Sequence, residues 1–384
     1  MLLLLASLAC FKPYEDLAAL DFSEVPFDID LVESTARIRT VTTGLRCPDG
    51  QDARFYVVYQ PEVEGPVPLA LGFHPGAFDY VIDPYAESTS ALYGATWRSS
   101  SRMNRDWADL AVWASLGMYP GDFLEGEVHE GALAAALVNE GVAQLWPANC
   151  WGDLWHNEEG FQENDFAREG LTRNGRTLAW WMLRYAYEPD FAAAQGVELP
   201  FEASDELYLV GLGEGGRAVT ELLLHEGLPR VTGALVDSSP DTLSAYFDPT
   251  NELEAEAEGL RRLWPTEEQQ QAIDDWSLLG LSRTSLAPPF AADTGDSTGS
   301  GLDGAGAFRL PERLAFVWSA ADPRQPLATT QATAEALALR PDAWVLEQRD
   351  RAHVFSNADA DLAGELVHYL RTGQQTQTGD STPQ

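Results

Sequence analysis

The sequence predicts an α/β fold in which helices cover both faces of a mostly parallel, twisted sheet. Several short segments, such as Val67–Phe73 and Val142–Pro147, are apolar throughout, which is typical of strands buried on both faces. Segments with helical spacing alternate with these strands along the chain. A Gly-rich turn also joins the apolar run Leu207–Val210 to a helical segment, as in a βα unit.

The first elements predict an antiparallel hairpin at one edge of the sheet. Residues 36–42 and 54–60 have the composition of strands, and Cys47-Pro48-Asp49-Gly50 between them is rich in turn residues. The remaining predicted strands cover residues 67–73, 142–147, 207–210, 231–236, 314–318 and 344–347. The predicted helices cover residues 126–140, 171–187, 217–225, 329–339 and 362–370.

One domain over residues 34–372 accommodates these elements together with two insertions. Residues 80–122 are rich in aromatic side chains, and residues 241–306 begin with acidic helical segments and end in Gly, Asp, Ser and Thr. We expect both insertions to act as a cap. An acidic leader at 11–33 precedes the domain, and the polar tail at 373–384 is expected to be disordered.

The charge balance argues against nucleic acid as a partner. The 384-residue chain has 60 acidic and 24 basic residues, and a net charge of -36 disfavours contact with nucleic acid or anionic membranes. His129 and His156 lie near carboxylates but lack a metal-ligand spacing such as His-Glu-x-x-His. We therefore expect neither a metal nor another cofactor.

The N-terminus resembles the end of a bacterial lipoprotein signal. An apolar run at residues 2–5 is followed by the small residue Ala9 and by Cys10, which could be lipidated after cleavage. No positive charge precedes the run, and Ser7 stands where such signals prefer leucine. A lipidated Cys10 would make the protein extracytoplasmic and attach it to a membrane only through lipid. The alternative is an apolar N-terminal tail.

A glycine-rich turn after the strand at 207–210 carries the first candidate site. Gly211-x-Gly213-x-Gly215-Gly216 has the strand-turn-helix context of a nucleophile elbow, where small residues relieve crowding around a strained nucleophile. The nucleophile position holds Gly213, which has no side chain that could attack a substrate. Two alternatives remain: an ordinary Gly-rich connection, and a dinucleotide fingerprint, which normally lies in the first βα unit of a domain.

Three further candidate sites follow other predicted strands. Asp322 follows the penultimate strand, His353 follows the last one, and His74-Pro75-Gly76-Ala77-Phe78 follows the strand at 67–73. Taken singly, an Asp-Pro turn, a surface histidine or a loop glycine would be ordinary. Taken in order with the elbow, from about residue 36 to residue 370, they resemble the α/β-hydrolase fold superfamily.

The resemblance implies a role for each site. Position 213 would hold the nucleophile, normally serine, and Asp322 would orient His353 as the catalytic histidine. Backbone N–H groups of Ala77, or a neighbour, and Glu214 would form the oxyanion hole. A register shift that made Glu214 the nucleophile would put Leu212, which is too large for a tight elbow, two residues before it.

The resemblance also bears on the cysteines. If Cys10 carries lipid, Cys47 and Cys150 remain, and a disulfide between them is plausible outside the cytosol. In this family the strand ends that precede them lie on the active-site edge, separated by one strand. The alternative is two unrelated buried thiols.

A hydrolase frame without a nucleophile leaves several functions open. The expected function is that of a surface pseudo-hydrolase, either a binder of a small ester-like or apolar ligand or a scaffold, because Gly213 cannot form an acyl-enzyme. A slow hydrolase could instead use water activated by His353 and Asp322, and a purely structural lipoprotein is a third possibility. Tryptophans that could line a pocket or pack in the core are Trp146, Trp151, Trp155, Trp180 and Trp181.

Overall fold

In the part of the chain that the structure describes, the strands form one nine-stranded sheet. The computed structural model describes residues 24–46, 52–74, 112–113, 115–118, 131–147, 179, 181–225, 230–239, 311–322, 327–348 and 355–375. The strands are β1 Val25–Pro26, β2 Arg37–Arg46, β3 Asp52–Tyr59, β4 Val67–Phe73, β5 Ala143–Pro147, β6 Ala203–Leu212, β7 Val231–Asp237, β8 Arg313–Trp318 and β9 Ala343–Glu347. The helices are α1 Ala132–Asn139, α2 Pro189–Ala194, α3 Glu214–His225, α4 Leu327–Ala338 and α5 Ala360–Thr372. Residues 181–187 are also helical, and Phe355–Ala358 form a 3₁₀ turn.

The strand order is β1-β2-β3-β5-β4-β6-β7-β8-β9. β1, β2 and β3 pair antiparallel at one edge, and β3 is also antiparallel to β5. All other neighbours are parallel. The predicted fold class and the edge hairpin are therefore confirmed, and this topology is that of the α/β-hydrolase fold.

Side-chain alternation along the strands builds a hydrophobic core on each face of the sheet. In β6, Leu207 and Leu209 face one core, whereas Tyr208 and Val210 face the other. The first core is covered by the helical residues 181–187, α3 and α4, and the second by α1 and α5. Burial on both faces explains why the sequences of these strands are continuous apolar runs.

Helix α1 begins at Ala132, six residues later than the start at residue 126 that composition predicts. Gly131 precedes it with φ 64°, a left-handed conformation that a right-handed helix cannot include. A Cβ at Gly131 would lie 2.5 Å from the carbonyl oxygen of Leu116, so the helix start packs closely against the segment at 115–118.

Part of the predicted leader joins the sheet. Val25 pairs with Ile38, and the backbone N–H of Phe27 donates to the carbonyl of Ala36 at 2.9 Å. Pro26 lacks a backbone donor, and an edge strand tolerates this. Residues 11–23 of the leader, the insertion at 241–306 and most of the tail lie outside the described residues. Of the insertion predicted at 80–122, the structure describes residues 112–113 and 115–118, and Val112, Trp113 and Leu116 pack in the second core. Within the part of the chain that the structure describes, no helix is long and apolar enough to cross a bilayer.

Trp146 belongs to the core. Its ring is fully buried, its indole N–H donates to Gln144 Oε1 at 3.0 Å, and Gln144 Nε2 donates to the carbonyl of Ala134 at 2.8 Å. The ring lies directly over Gly72 of the neighbouring strand β4. A Cβ at Gly72 would lie 2.3 to 2.5 Å from three ring carbons of Trp146, so the indole occupies the space of the missing side chain.

We expect Gly72→Ala to lower the free energy of unfolding by about 1–3 kcal/mol, because the added methyl group overpacks the core against Trp146. Gly364→Ala in α5 is the matched control, since a Cβ there meets nothing within 4 Å. That variant should be more stable by about 0.5–1 kcal/mol, since alanine favours a helix interior. Urea unfolding of both variants measures the difference, and equal effects would contradict the close contact.

The environment of Tyr208 leads us to predict that the free energy of unfolding falls at alkaline pH. The side chain is buried, and its hydroxyl donates to Glu206 Oε2 at 2.6 Å. Burial first, and then the bond to Glu206 and its charge, raise the pKa of Tyr208 to about 12. Because an unfolded tyrosine has a pKa of about 10, folding favours the protonated phenol. The stabilisation is present below about pH 10 and is lost as pH rises towards 12.

Urea unfolding between pH 9 and pH 12 tests this statement. The free energy of unfolding of the wild type should fall across the range, and Tyr208→Phe should reduce the fall without abolishing it. Burial also raises the pKa of Tyr59, Tyr185, Tyr187 and Tyr369, and these residues contribute in the same direction. An unchanged pH slope in Tyr208→Phe would contradict the assignment to Tyr208.

Candidate active site

The turn between β6 and α3 consists of one residue. β6 ends at Leu212, α3 begins at Glu214, and Gly213 between them has φ 53°. The N–H of Gly213 donates to the carbonyl of Asp237 at 2.8 Å, and its own carbonyl accepts from the N–H of Gly216 at 2.9 Å. The chain therefore reverses sharply at the carboxyl edge of the parallel strands, as an elbow requires.

Three glycines around this turn are each in contact with other backbone or side-chain atoms. A Cβ at Gly211 would lie 2.4 Å from the carbonyl oxygen of Gly215. A Cβ at Gly215 would lie 2.2 Å from the carbonyl oxygen of Phe73, at the end of β4. A Cβ at Gly216 would lie 2.5 Å from Cβ of Ser239, after β7. The first turn of α3 is thus packed between the ends of β4 and β7, and only glycine fits.

Asp237, the last residue of β7, is a site residue that the sequence did not single out. Its side chain is fully buried, and Oδ1 accepts a hydrogen bond from Ser238 Oγ at 3.0 Å. Oδ2 accepts from both the backbone N–H of Ser356, at 3.3 Å, and the hydroxyl of Ser356. A pointer in the sequence was its position: an aspartate at the end of a buried strand, on the same edge as the elbow.

Ser238 continues the turn at the end of β7 in a strained conformation. It has φ 51° and is the one non-glycine with positive φ in the described part of the chain. Such a conformation costs about 1–3 kcal/mol unless the surroundings compensate. The N–H of Ser238 donates to the carbonyl of Val317 at 2.9 Å, and its hydroxyl is bonded to Asp237. These bonds hold the strained turn.

The 3₁₀ turn Phe355–Ala358 starts two residues after His353. Asn357 in this turn is fully buried. Its Nδ2 donates to the carbonyl of Ser115 at 3.1 Å, and its Oδ1 accepts from the N–H of Leu133, in the first turn of α1, at 3.4 Å. Together with the bonds from Ser356 to Asp237, these contacts fix the turn to both β7 and α1.

Asp322 lies in the turn after β8, where only 5% of its surface is exposed. Its N–H donates to the carbonyl of Ser319 at 3.3 Å, and the hydroxyl of Ser319 accepts from the N–H of Ala321 at 3.1 Å. The turn is on the same sheet edge as Gly213, because β6, β7 and β8 are consecutive parallel strands. A buried carboxyl group is therefore present where the sequence predicts the acid.

The structure thus brings several predicted positions to one edge. Gly211, Gly213, Gly215 and Gly216 form the turn, Asp322 lies two strands away, and Glu214 begins α3 through its backbone. His74, the first residue of the predicted oxyanion loop, is buried at the end of β4. The other predicted site residues, Ala77, His353, Cys10, Cys47 and Cys150, lie outside the described residues.

The chemistry available at this edge comes from the turn itself. The first N–H groups of α3 have no acceptor within the helix, and the helix dipole makes this end favourable for negative charge. Such groups can bind a carbonyl or carboxylate oxygen. Within the described residues, no group of three or more His, Cys, Asp or Glu side chains could hold a metal ion.

The chain matches no protein-family model and no curated protein sequence. Among solved structures, it is similar to a thermostable esterase from Pseudomonas putida ECU1011, with 15% identity, a TM-score of 0.44, and coverage of 94% of this chain and 85% of that one. Brefeldin A esterase, described as a bacterial homologue of human hormone-sensitive lipase, has 14% identity, a TM-score of 0.48, and coverage of 94% and 84%. An esterase from Pyrobaculum calidifontis has 12% identity, a TM-score of 0.46, and coverage of 88% and 86%. These likenesses concern the fold alone.

Proposed function

We propose that this protein is a pseudo-hydrolase: an α/β-hydrolase-fold protein that binds a small ester-like or apolar ligand without forming an acyl-enzyme. The observation that carries the proposal is Gly213. It occupies the one-residue turn between β6 and α3 with φ 53°, among the crowded glycines that such a turn requires. The elbow is built, and the side chain that would attack a substrate is missing.

The consequence for catalysis follows from the chemistry of acyl transfer. A serine hydrolase passes its acyl group through a covalent intermediate on the nucleophile, and glycine cannot form one. In serine proteases, the oxyanion hole and binding alone retain about 10³ to 10⁴-fold acceleration over water. A site with these elements alone binds ester-like compounds but turns them over slowly.

Gly213→Ser tests whether only the nucleophile is missing. Turnover of p-nitrophenyl butyrate by the wild type should be close to background. Gly213→Ser should raise kcat/KM by about 10²-fold or more, a small part of the roughly 10⁶-fold effect of an intact triad in subtilisin. The gain should disappear when His353→Ala is added to Gly213→Ser. Labelling by a serine-directed fluorophosphonate should be absent from the wild type and appear only after Gly213→Ser.

Gly213→Ala is the matched control for this experiment. It introduces the same backbone strain at φ 53° without a hydroxyl. Both substitutions should lower the free energy of unfolding by about 1–2 kcal/mol, because a side chain in this region is disfavoured. Only the serine variant should gain turnover. Equal turnover by Gly213→Ala and Gly213→Ser, or fluorophosphonate labelling of the wild type, would contradict the proposal.

Slow hydrolysis by an activated water is the second candidate. It is favoured by Asp322, a buried carboxyl group in the turn after β8, where an acid would orient His353. His353 would then deprotonate a water in the space that a serine side chain normally fills. This candidate predicts measurable wild-type turnover that fluorophosphonate does not inhibit. His353→Ala and Asp322→Asn should each abolish that turnover. In a pseudo-hydrolase, by contrast, turnover is already at background, and neither substitution should change it.

Ligand binding by the wild type needs its own measurement. If the wild type does not turn over p-nitrophenyl butyrate, calorimetric titration with the intact ester measures its affinity directly. Saturable binding that Gly215→Ala weakens supports a site at the elbow, because a methyl group there would displace α3 from the Phe73 carbonyl. Gly364→Ala is the control, since it adds the same methyl group in open space. Absence of saturable binding would contradict the proposal that the ligand is ester-like.

The cellular setting is a further part of the proposal. We propose that Cys10 carries lipid and that the protein is attached to the outer side of a bacterial membrane, on the strength of the sequence at residues 1–10. In an expressing bacterium, Cys10→Ser should abolish labelling by radioactive palmitate and move the protein from the membrane fraction to the soluble one. Palmitate labelling that persists in Cys10→Ser would contradict lipidation of Cys10.

A disulfide between Cys47 and Cys150 is compatible with the sheet. β2 ends one residue before Cys47, and β5 ends three residues before Cys150. Both ends lie on one edge with β3 between them, because Arg46 pairs with Asp52 and Phe55 pairs with Pro147. If the bond exists, the two cysteines should be alkylated only when the protein is first reduced, so the protein mass should be higher with reductant than without it. Equal masses with and without reductant would contradict the bond.

A further inference from the structure

The elbow has a neighbouring turn of nearly the same shape. Gly213 follows β6 with φ 53°, and Ser238 follows β7 with φ 51°. The N–H of Gly213 donates to the carbonyl of Asp237 at 2.8 Å. The N–H of Ser238 donates in the same way to the carbonyl of Val317 on β8, at 2.9 Å. Two left-handed turns are therefore adjacent on one edge of the sheet, and the residue that holds the first directly precedes the second.

The two turns differ in strain. Glycine adopts this left-handed φ freely, whereas a residue with a Cβ is disfavoured there. Ser238 keeps its side chain, and its hydroxyl donates to Oδ1 of Asp237 at 3.0 Å. Both side chains are fully buried, so water does not compete for this bond. The orientation of the Asp237 carboxyl group therefore matters to the strained turn.

The carboxyl group of Asp237 is itself held by the C-terminal 3₁₀ turn. Oδ2 accepts from the N–H of Ser356 at 3.3 Å and from the hydroxyl of Ser356, which is 119 residues away in sequence. Asn357, the next residue, donates to the carbonyl of Ser115 at 3.1 Å and accepts from the N–H of Leu133 at 3.4 Å. The 3₁₀ turn is thus fixed on its other side, and it orients the carboxyl group from a rigid support.

We infer that Ser356 is a positioning residue for the elbow at Gly213. Its hydroxyl orients the carboxyl group of Asp237, and that carboxyl group keeps the turn at Ser238 left-handed. The planar peptide between residues 237 and 238 carries both the carbonyl that binds Gly213 and the N–H that binds Val317. Relaxation of the strained turn rotates this peptide, so the N–H of Gly213 loses its acceptor.

The consequence for the site is the direction of the N–H groups at the start of α3. These groups follow Gly213 directly, and they are the donors that a carbonyl or carboxylate oxygen would contact. A change at Ser356 would therefore alter the elbow from the opposite side of β7. The inference goes beyond the proposed function, because it concerns the shape of this edge and holds whether or not the ligand is an ester.

Ser356→Ala tests the inference, because it removes the hydroxyl and leaves the backbone N–H of residue 356. Hydrogen–deuterium exchange read by fragmentation mass spectrometry gives the rates of single amides. The amides of Gly213 and Ser238 should exchange about 10- to 100-fold faster, the factor that corresponds to loss of one hydrogen bond to a charged group. The amide of Leu209, inside β6, should exchange as in the wild type, since the opening is local.

Asn357→Ala is the matched control within the same 3₁₀ turn. It removes the bonds of the turn to Ser115 and to α1, and it leaves the contact between Ser356 and Asp237. Amides of the 3₁₀ turn should exchange faster, whereas the amide of Gly213 should exchange as in the wild type. Equal acceleration at Gly213 in both variants would overturn the inference, because any weakening of the turn would then have the same effect.

Ser238→Gly gives a result that a purely structural role would not produce. Glycine adopts φ 51° without strain, so the turn no longer depends on the carboxyl group. Ser238→Gly combined with Ser356→Ala should therefore return exchange at Gly213 close to the wild-type rate. If the two lost hydrogen bonds only added to each other, exchange would be faster in the double variant than in Ser356→Ala. That result overturns the inference, as does unaltered exchange at Gly213 in Ser356→Ala.

Asp237→Asn is a second variant, and it keeps the side-chain volume of residue 237. Its amide oxygen still accepts from Ser356, but a neutral acceptor binds more weakly than a carboxylate. Exchange at Gly213 should rise several-fold, and Ser238→Gly should again restore it; no rise, or a rise without restoration, contradicts the positioning role. Failure of Gly213→Ser to gain turnover would count against the pseudo-hydrolase proposal and leave these exchange rates unaffected.

Discussion

Close backbone contact between the first turn of α3 and the ends of two strands is the constraint on which the rest of this edge depends. Gly215 lies against the carbonyl of Phe73, and Gly216 lies against Ser239. Any side chain at either position would push α3 away from the sheet. Because α3 contributes Val219 and Leu222 to a fully buried core, that displacement would also disrupt packing. The glycines of the elbow are thus required by the fold, whether or not a nucleophile stands between them.

This requirement explains how the elbow would persist without a nucleophile, as the pseudo-hydrolase proposal requires. A serine at position 213 would have to adopt φ near 53°, which is unfavourable for a residue with a Cβ, whereas glycine adopts it freely. Under the proposal that position 213 is a vacant nucleophile position, glycine there relieves strain and leaves the packing of α3 intact. Strained active sites are commonly less stable than their inactive variants. The neighbouring turn differs, because Ser238 keeps a side chain at φ 51° and its strain is offset by bonds to Asp237 and Val317.

Those parts of the fold that depend on local pattern could be predicted from the sequence. β4 has the predicted limits because an apolar run buried on both faces is bounded by polar and turn residues. The glycines around position 213 were also predictable, since the tight strand-to-helix turn needs them. The start of α1 was wrong because an Ala-rich composition does not reveal that Gly131 is left-handed. Asp237 was missed because its role at this edge of the sheet is to accept hydrogen bonds from Ser356. A single sequence carries no signal for a contact between such distant residues.

The buried carboxylate of Asp237 is better explained by geometry than by stability. Burying a charged group is costly unless hydrogen bonds replace its water, and apolar packing joins two segments at least as firmly as a buried ionic contact does. Apolar contacts, however, tolerate sliding, whereas a planar carboxylate with donors on both oxygens holds its partners in one arrangement. Here the donors come from Ser238 and Ser356, and the carbonyl of the same residue holds Gly213. The carboxyl group at that point ties the relative position of the elbow and the C-terminal turn to a single residue.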